Sequence, residues 1–597
     1  MQAGGDPTQP SGAPPPPTVA EAGEPALENM GGAAGGSEGS SLGRTASRAV
    51  FWNAALFPLR LVASLVSSVL ITSLLQPRSQ FGLIVLISGA AATIGLYGDF
   101  GIERSLPRFM PEVERAGGGR LVRRFLGQLI GFKLLAMAVL ITVLLALSGP
   151  LLNLVADKQT PLVVDQLQRN GGLFIAAICA MLLLGALFDT SMQFLSSYFK
   201  QRAWNVITIA SGVLQPLLII SFFGLGGAQV EMVVLAMVVS PLVSVLLAGW
   251  QALRLAYNAA AMREGGGESA VGAARQLPTG FLTRFTRYSA LSYFMNISVY
   301  FYTLPFISLV LNGYYRADGI AIFAVAYNFV NTVLAALWSP LSGVQIPLFS
   351  RIYTADRAAG RLDEPSAQLQ GSYDLLSRFL ALVLIPSGIG LALLSASLVA
   401  NLFPSYREAT LAAVLLILFL FAEALISIPN NILIVYERFG PVLLSRGIAL
   451  ISIPLLFLLV PVIGGGGNAA GGATAAALAT GLARLLSRAA IMYHASRHMH
   501  LRYPWRFSLK VGGATLVMGV AVGLLAWLLG TSPFALDKAD PTAVEKVLAL
   551  LLDIGISVGG GAMFLLAFKR LGGLGDEEKR RLARLKLPLP GWAWRWL

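Results

Sequence analysis

The sequence predicts an all-α integral membrane protein of about fourteen transmembrane helices. These form two six-helix lobes related by a parallel repeat, plus two extra C-terminal helices. Three observations predict it: a composition too apolar for water, a sorting of basic residues that alternates from loop to loop, and an internal repeat near an offset of 237 residues.

Of the 597 residues, 55% are hydrophobic and only 12% are charged, with mean hydropathy +0.70; a soluble domain carries about 25% charged residues. Long apolar runs recur from about residue 49 to 568, each near the roughly 20 residues that cross a hydrocarbon core as a helix. Unbroken apolar character excludes barrel strands, which alternate. The one cysteine, Cys179, lies inside such a run, so disulfide frameworks and thiol metal sites are excluded.

The first stretch differs. Residues 1–45 are rich in Pro, Gly, Ala, Ser and Glu, include the run Pro14 to Pro17, and hold almost no large apolar side chains. They are expected to form a disordered cytoplasmic tail. No apolar signal region occurs there, so the first membrane helix directs insertion. The N-terminal lobe is expected over 46–256, a cytoplasmic linker containing Gly265 to Gly267 over 257–284, and the C-terminal lobe over 285–500. The two additional helices follow over 501–572. The cytoplasmic tail over 573–597 mixes Lys579, Arg580, Arg581, Arg584 and Lys586 with Trp592, Trp594 and Trp596, as an interfacial anchor does.

Fourteen crossings are placed at about 49–74, 82–104, 122–148, 171–198, 204–225, 230–256, 286–311 and 319–345, then 377–402, 409–435, 440–463, 470–494, 507–530 and 545–569. With a cytoplasmic N-terminus, seven basic residues fall outside: Arg78, Lys158, Arg169, Arg316, Arg407, Lys538 and Lys546. Arg60 lies within the first helix, and the other 36 of the 44 Lys and Arg are assigned to the cytoplasmic side or to helix ends there. This asymmetry sets the expected orientation, with both termini cytoplasmic in a bacterial inner membrane. The net charge of +14 then reads as topology and contact with anionic membrane lipid, with no nucleic-acid partner.

The repeat comes next. Gln80-Phe-Gly-Leu-Ile-Val opens the second crossing and Ala317-Asp-Gly-Ile-Ala-Ile opens the eighth. Both run out into Pro-containing basic exits, Leu106-Pro-Arg-Phe-Met-Pro-Glu and Ile346-Pro-Leu-Phe-Ser-Arg. The fourth and tenth end Ser197-Tyr-Phe-Lys-Gln-Arg and Ile434-Val-Tyr-Glu-Arg. Six helices per half give both halves one orientation, the architecture of a rocking transporter.

The stretch from Arg48 to Glu112 resembles the polysaccharide-transporter (oligosaccharide flippase) branch of the multidrug, oligosaccharidyl-lipid and polysaccharide exporter superfamily. Its features are Gln80-Phe-Gly-Leu, Gly98-Asp-Phe-Gly-Ile and the exit Leu106-Pro-Arg-Phe-Met-Pro-Glu. The resemblance implies flipping of an undecaprenyl-pyrophosphate-linked oligosaccharide by alternating access, for cell-surface polysaccharide or lipopolysaccharide assembly. The implied partners are that lipid-linked oligosaccharide, membrane lipid and polysaccharide assembly proteins. The long N-terminal tail departs from the family pattern.

Such a head group is anionic and hydrated, so it needs a water-filled cavity with basic or polar walls. Arg60 lies about 18 Å along its helix from Arg48, too deep for easy snorkelling. It is a candidate either for head-group binding or for an ion pair with Asp189 or Glu423. Asn53, Asn296, Tyr300, Asn328 and Asn331 are candidates for sugar contacts, and equally for hydrogen bonds between helices. Asp99, Glu103, Arg104 and Arg108 crowd one helix end at near-helical spacing, as a gating or structural network would. Asn430 and Asn431 follow Pro429, where a kink exposes carbonyls. The Gly464 to Gly467 run and the Ala-rich helix after it read as close packing.

No Gly-x-x-x-x-Gly-Lys-Ser/Thr loop occurs, so an ion gradient or the membrane potential is the expected energy source. His494, His498 and His500 read as an interfacial cluster; no metal and no cofactor are expected. Two other functions compete. A drug or cation antiporter of the same superfamily needs an acidic cavity. A membrane glycosyltransferase or polymerase needs a sizeable outer loop, and the longest here, Gly149–Asn170, has 22 residues. A transporter and not an enzyme is expected.

Overall fold

The structure, a computed structural model, describes residues 59, 61–157, 159–198, 200–226, 229–264, 277, 279–358, 360, 366–528, 543–573 and 575. Its helices run in chain order α1 (Leu61–Leu74), α2 (Arg78–Tyr97), α3 (Ile102–Ala156), α4 (Pro161–Ser197), α5 (Gln201–Gly226), α6 (Val230–Glu264), α7 (Phe281–Tyr300) and α8 (Leu304–Ala358). There follow α9 (Ala367–Leu402), a 3-10 turn (Pro404–Ala409), α10 (Thr410–Leu425), α11 (Ile428–Val435), α12 (Phe439–Ala449), α13 (Ser452–Ile463), α14 (Ala469–His498), α15 (Trp505–Leu528) and α16 (Ala543–Arg570). Among the described residues there is no strand.

Among the described residues, twelve helices are long and apolar enough to cross a membrane. One of them, Phe281–Trp338, takes in two of the expected crossings, and Leu61–Leu74 is the described part of the expected first. The protein is therefore an all-helical, multi-pass membrane protein. Many large apolar side chains on α15 and α16, among them Leu516, Val520, Leu524, Val547, Leu551 and Val558, are exposed, as a lipid solvent permits.

Local chemistry fixes the breaks. Within α3 the backbone leaves helical geometry at Gly117 and Gly118, so the exit segment after Ile102 joins the third crossing through a glycine joint. Within α8 the break is at Arg316, with φ 61°. The expected seventh crossing is interrupted at residues 301–303, between α7 and α8, and the tenth at 426–427, just before Pro429. Pro161 stands in the first turn of α4, where a missing N–H costs nothing. Asn468 caps α14 by accepting from the Gly471 N–H at 3.0 Å.

The two repeat openings meet in space. At the crossing of α2 and α8, a Cβ added to Gly82 would lie 1.9 Å from the Ala317 carbonyl oxygen, so only glycine lets the backbones come this close. A second approach lies at Gly101, whose φ of 67° starts α3 and whose Cβ would meet the Ser289 carbonyl oxygen of α7 at 2.1 Å. Beside it Ser105 and Ser289 share a 2.7 Å hydrogen bond between their hydroxyls. The Ala-rich face of α14 is fully buried, and Gly472 admits the Tyr315 ring, whose hydroxyl donates to the Val460 carbonyl at 2.7 Å. The additional pair, α15 and α16, packs on α9 through Leu394, Phe507, Val511, Met518, Val522, Ile556 and Phe568.

Candidate functional site

Among the described residues, two buried charge clusters lie within this bundle, one on each lobe. On the N-terminal lobe, α2 ends just before Asp99, and Glu103 stands in the first turn of α3. Lys133, 30 residues further along α3, folds back to pair with Glu103 Oε1 and lies 3.9 Å from Asp99 Oδ1. Lys133 is 2% exposed, and its buried ammonium faces two carboxylates. Asn296 of α7 donates through Nδ2 to Asp99 Oδ2 at 2.7 Å, tying the other lobe to this cluster. Glu103 Oε2 is buried without a hydrogen-bond partner.

The second cluster belongs to the C-terminal lobe. Arg484 and Arg488, one turn apart on α14, both donate to Glu423 of α10, at 2.6 and 3.1 Å. Arg446 of α12 donates through Nη1 to the hydroxyl of Tyr302, which stands in the break between α7 and α8. The Arg484 guanidinium lies 5.5 Å from the Tyr302 ring centroid, within cation–π range. Three guanidinium groups thus face one carboxylate. Arg446 Nε and Arg488 Nη1 are buried without hydrogen-bond partners. The charge balance is opposite in the two clusters: two carboxylates to one ammonium on the N-terminal lobe, three cations to one anion on the C-terminal lobe. Exposed Arg104 acts electrostatically on both Asp99 and Arg446.

The lobes are tied at both ends of their interface. At one end Arg78 Nη1 is 3.0 Å from Glu408 Oε2, Gln76 Nε2 donates to Ser405 Oγ at 3.1 Å, and Gln159 Nε2 donates to Asn312 Oδ1 at 2.6 Å. At the other, Arg108 Nη2 is 2.7 Å from Glu437 Oε1 and its guanidinium covers the Tyr288 ring at 4.8 Å. Arg284 pairs with Glu112 nearby. Phe109 packs edge-on against Phe281, Phe285 and Tyr288, an aromatic seam between α3 and α7. Glu437 is held at φ 58°, and the preceding Tyr436 donates to Asp356 Oδ2 at 2.5 Å. Burial and that neighbouring carboxylate push the Tyr436 hydroxyl well above its ordinary pKa.

The residues singled out by sequence distribute as follows. Asn53 and Arg60 lie outside the described residues. Asn296, Asp99 and Glu103 come together in the first cluster, and Glu423 is the anion of the second. Tyr300 shares a 2.8 Å hydrogen bond with Thr93 across α7 and α2. Asn331 donates to the Tyr327 carbonyl of its own helix at 2.9 Å, and Asn328 is half-buried one turn before it. Asp189 is exposed on α4, within electrostatic reach of Lys133 and Asp99. Arg108 leaves the Asp99 group for Glu437. Asn431 donates to Gln345 Oε1 at 2.6 Å. Lys133, Arg446, Arg484, Arg488 and Tyr302 were not singled out by sequence reasoning. Their signal was present: Lys133 stands 12 residues into an expected crossing, and Arg484 and Arg488 are spaced to share a helix face.

No family model and no curated protein matches the chain. Among solved structures, the lipid II flippase MurJ in its inward closed conformation superposes with a TM-score of 0.57 at 14% identity, covering 86% of this chain and 98% of that one. This chain has the fold of that flippase. An inward-facing multidrug resistance MATE family transporter of the MOP superfamily gives a TM-score of 0.49 at 13% identity, covering 74% of this chain and 94% of its own. The Vibrio cholerae MATE transporter VcmN in its bent form gives 0.46 at 16%, covering 77% and 99%.

Proposed function

We propose that this protein is a flippase for a lipid-linked oligosaccharide of the undecaprenyl-pyrophosphate type, moving the anionic head group between two rocking lobes while the lipid tail stays in the bilayer. The observation that carries the reading is the cation excess of the second cluster. Among the described residues, Arg484 and Arg488 share the one carboxylate of the cluster, Glu423, Arg446 bonds to Tyr302, and two of their buried N–H groups have no partner. A phosphate oxygen satisfies such donors, and the planar guanidinium fork fits it in bidentate fashion. In this reading the basic-residue sorting places the Arg108 end in the bacterial cytoplasm with both termini, and an ion gradient or the membrane potential drives the cycle. Opening toward either side breaks one set of ties, Arg78–Glu408 or Arg108–Glu437, while the other holds. Enzymes that assemble surface polysaccharide are the natural partners, and the chain itself performs no bond chemistry.

A second reading, an antiporter for cationic compounds, is favoured by one observation. The N-terminal lobe presents Asp99, Glu103 and exposed Asp189 against buried Lys133, with Arg104 exposed at the edge of the group. Vesicles containing the purified protein separate the two. Transbilayer movement of a polyprenyl-pyrophosphate oligosaccharide, without gradient-driven uptake of a cationic dye, supports the flippase; dye uptake with an immobile lipid-linked sugar supports the antiporter.

A further inference from the structure

Asp553 takes no part in either cluster. It sits on α16, one of the two helices added to the twelve-helix core, and is 1% exposed. Ser397 Oγ of α9 donates to its Oδ2 at 2.7 Å, and Asn401 Nδ2 donates to that Ser397 Oγ at 3.2 Å. Its other oxygen, Oδ1, is buried without a hydrogen-bond partner. The rest of the seam is apolar, with Leu394 on α9, Met518 and Val522 on α15, and Ile556 one turn along α16.

No countercharge reaches the group among the described residues. The other charged residues of α16 are at its ends, Glu545, Lys546, Lys569 and Arg570. On α9 the charged pair is Asp374 with Arg378, bonded to each other at 2.8 Å near the opposite end of the helix. On α15 Arg506 and Lys510 occupy the first turns, and nothing ionisable follows before Leu528. An ionised carboxylate in apolar surroundings at membrane depth is expensive, and the Ser397 hydroxyl with the neighbouring Asn401 amide brings no countercharge to compensate it. No group of three or more His, Cys, Asp or Glu that could hold a metal ion occurs among the described residues. A neutral carboxylic acid removes the cost.

We propose that Asp553 is a proton-binding site within the membrane, holding a proton at neutral pH with the Ser397–Asp553 hydrogen bond intact. The proton fastens α16 to α9. Its loss leaves a bare carboxylate in the seam and loosens the α15–α16 pair from the core.

Infrared difference spectroscopy on the full chain in lipid reads the proton directly. Subtracting the Asp553→Asn spectrum from wild type at neutral pH should leave the carbonyl-stretch band of a protonated carboxylic acid. Asn is a neutral isostere, so the variant should fold, and the wild-type unfolding midpoint should fall relative to it as pH rises, because folding takes up a proton. Absence of the band at neutral pH overturns the proposal. So does a wild type whose stability follows sodium concentration and not pH, since that shows a carboxylate paired with a cation.

Discussion

Arg78 and Glu408 form an ion pair at 3.0 Å although 330 positions separate them in the chain. The pair joins the start of α2 to the turn before α10 and so crosses between lobes. It has a counterpart at the other end in Arg108 and Glu437, at 2.7 Å. Both pairs are substantially exposed, and pairs of this kind contribute about 0.2 to 1 kcal/mol. That suits a latch, which must break once per cycle.

Charge reversal tests the latch. Arg78→Glu should shift the balance between closed and open forms at that end by about 1.4- to 5-fold, the range those energies span. The swap Arg78→Glu with Glu408→Arg should restore it. Distances between spin labels on α2 and α10 report the populations. A distribution unchanged in Arg78→Glu argues against a latch.

The second cluster makes an opposite prediction for stability. Glu423→Gln leaves Arg484 and Arg488 buried beside an uncharged amide, and breaking a buried pair by removing one partner costs about 3 to 5 kcal/mol. The unfolding midpoint in detergent should drop sharply. Adding Arg484→Gln should recover part of the loss, and a double-mutant cycle measures the coupling.

The α2–α8 crossing supplies a packing test. Gly82→Ala places a methyl group against the Ala317 carbonyl, and overpacking of this kind costs about 1 to 3 kcal/mol. Gly131→Ala, with nothing within 4 Å of the added carbon, should be neutral or stabilising. Detergent unfolding midpoints for the two variants should diverge. Equal midpoints would mean the crossing yields easily.

Orientation is testable without any transport assay. Reporter fusions after residues 160, 315 and 540 should all report the outside of the cell. A cytoplasmic signal from any one of them would break the alternation on which the orientation rests.

The helices, their approximate bounds and the likeness of the two repeat openings were legible because apolar length and motif spacing are local signals; that the openings meet in space, at Gly82 and Ala317, was not. Glu423, Asp99 and Glu103 were legible as carboxylates out of place. Their cations were not. Arg484 and Arg488 stand in a helix that ends in basic residues, and Arg446 follows Arg438 near the start of its crossing, so they blended with the topological positive charge. Lys133 hid among the arginines that precede its crossing. The pairing of Lys133 with Glu103 also depends on the glycine joint at Gly117 and Gly118, which lets the start of α3 fold back along its own continuation, a tertiary fact without a sequence period. The same limit applies to Tyr302, whose role follows from a break in a helix expected to be continuous.

The measurement that bears most directly on head-group binding is the flipping rate of a polyprenyl-pyrophosphate oligosaccharide in vesicles containing Arg446→Gln. Arg446 bonds to Tyr302 and to no carboxylate among its hydrogen bonds, so its loss strands no buried anion and the fold should persist. The account predicts an inserted, thermally stable Arg446→Gln protein that flips at least about tenfold more slowly, the effect of losing roughly 1.4 kcal/mol of interaction with phosphate, with Arg446→Lys in between. A stable Arg446→Gln protein that flips the lipid-linked sugar at the wild-type rate would contradict it.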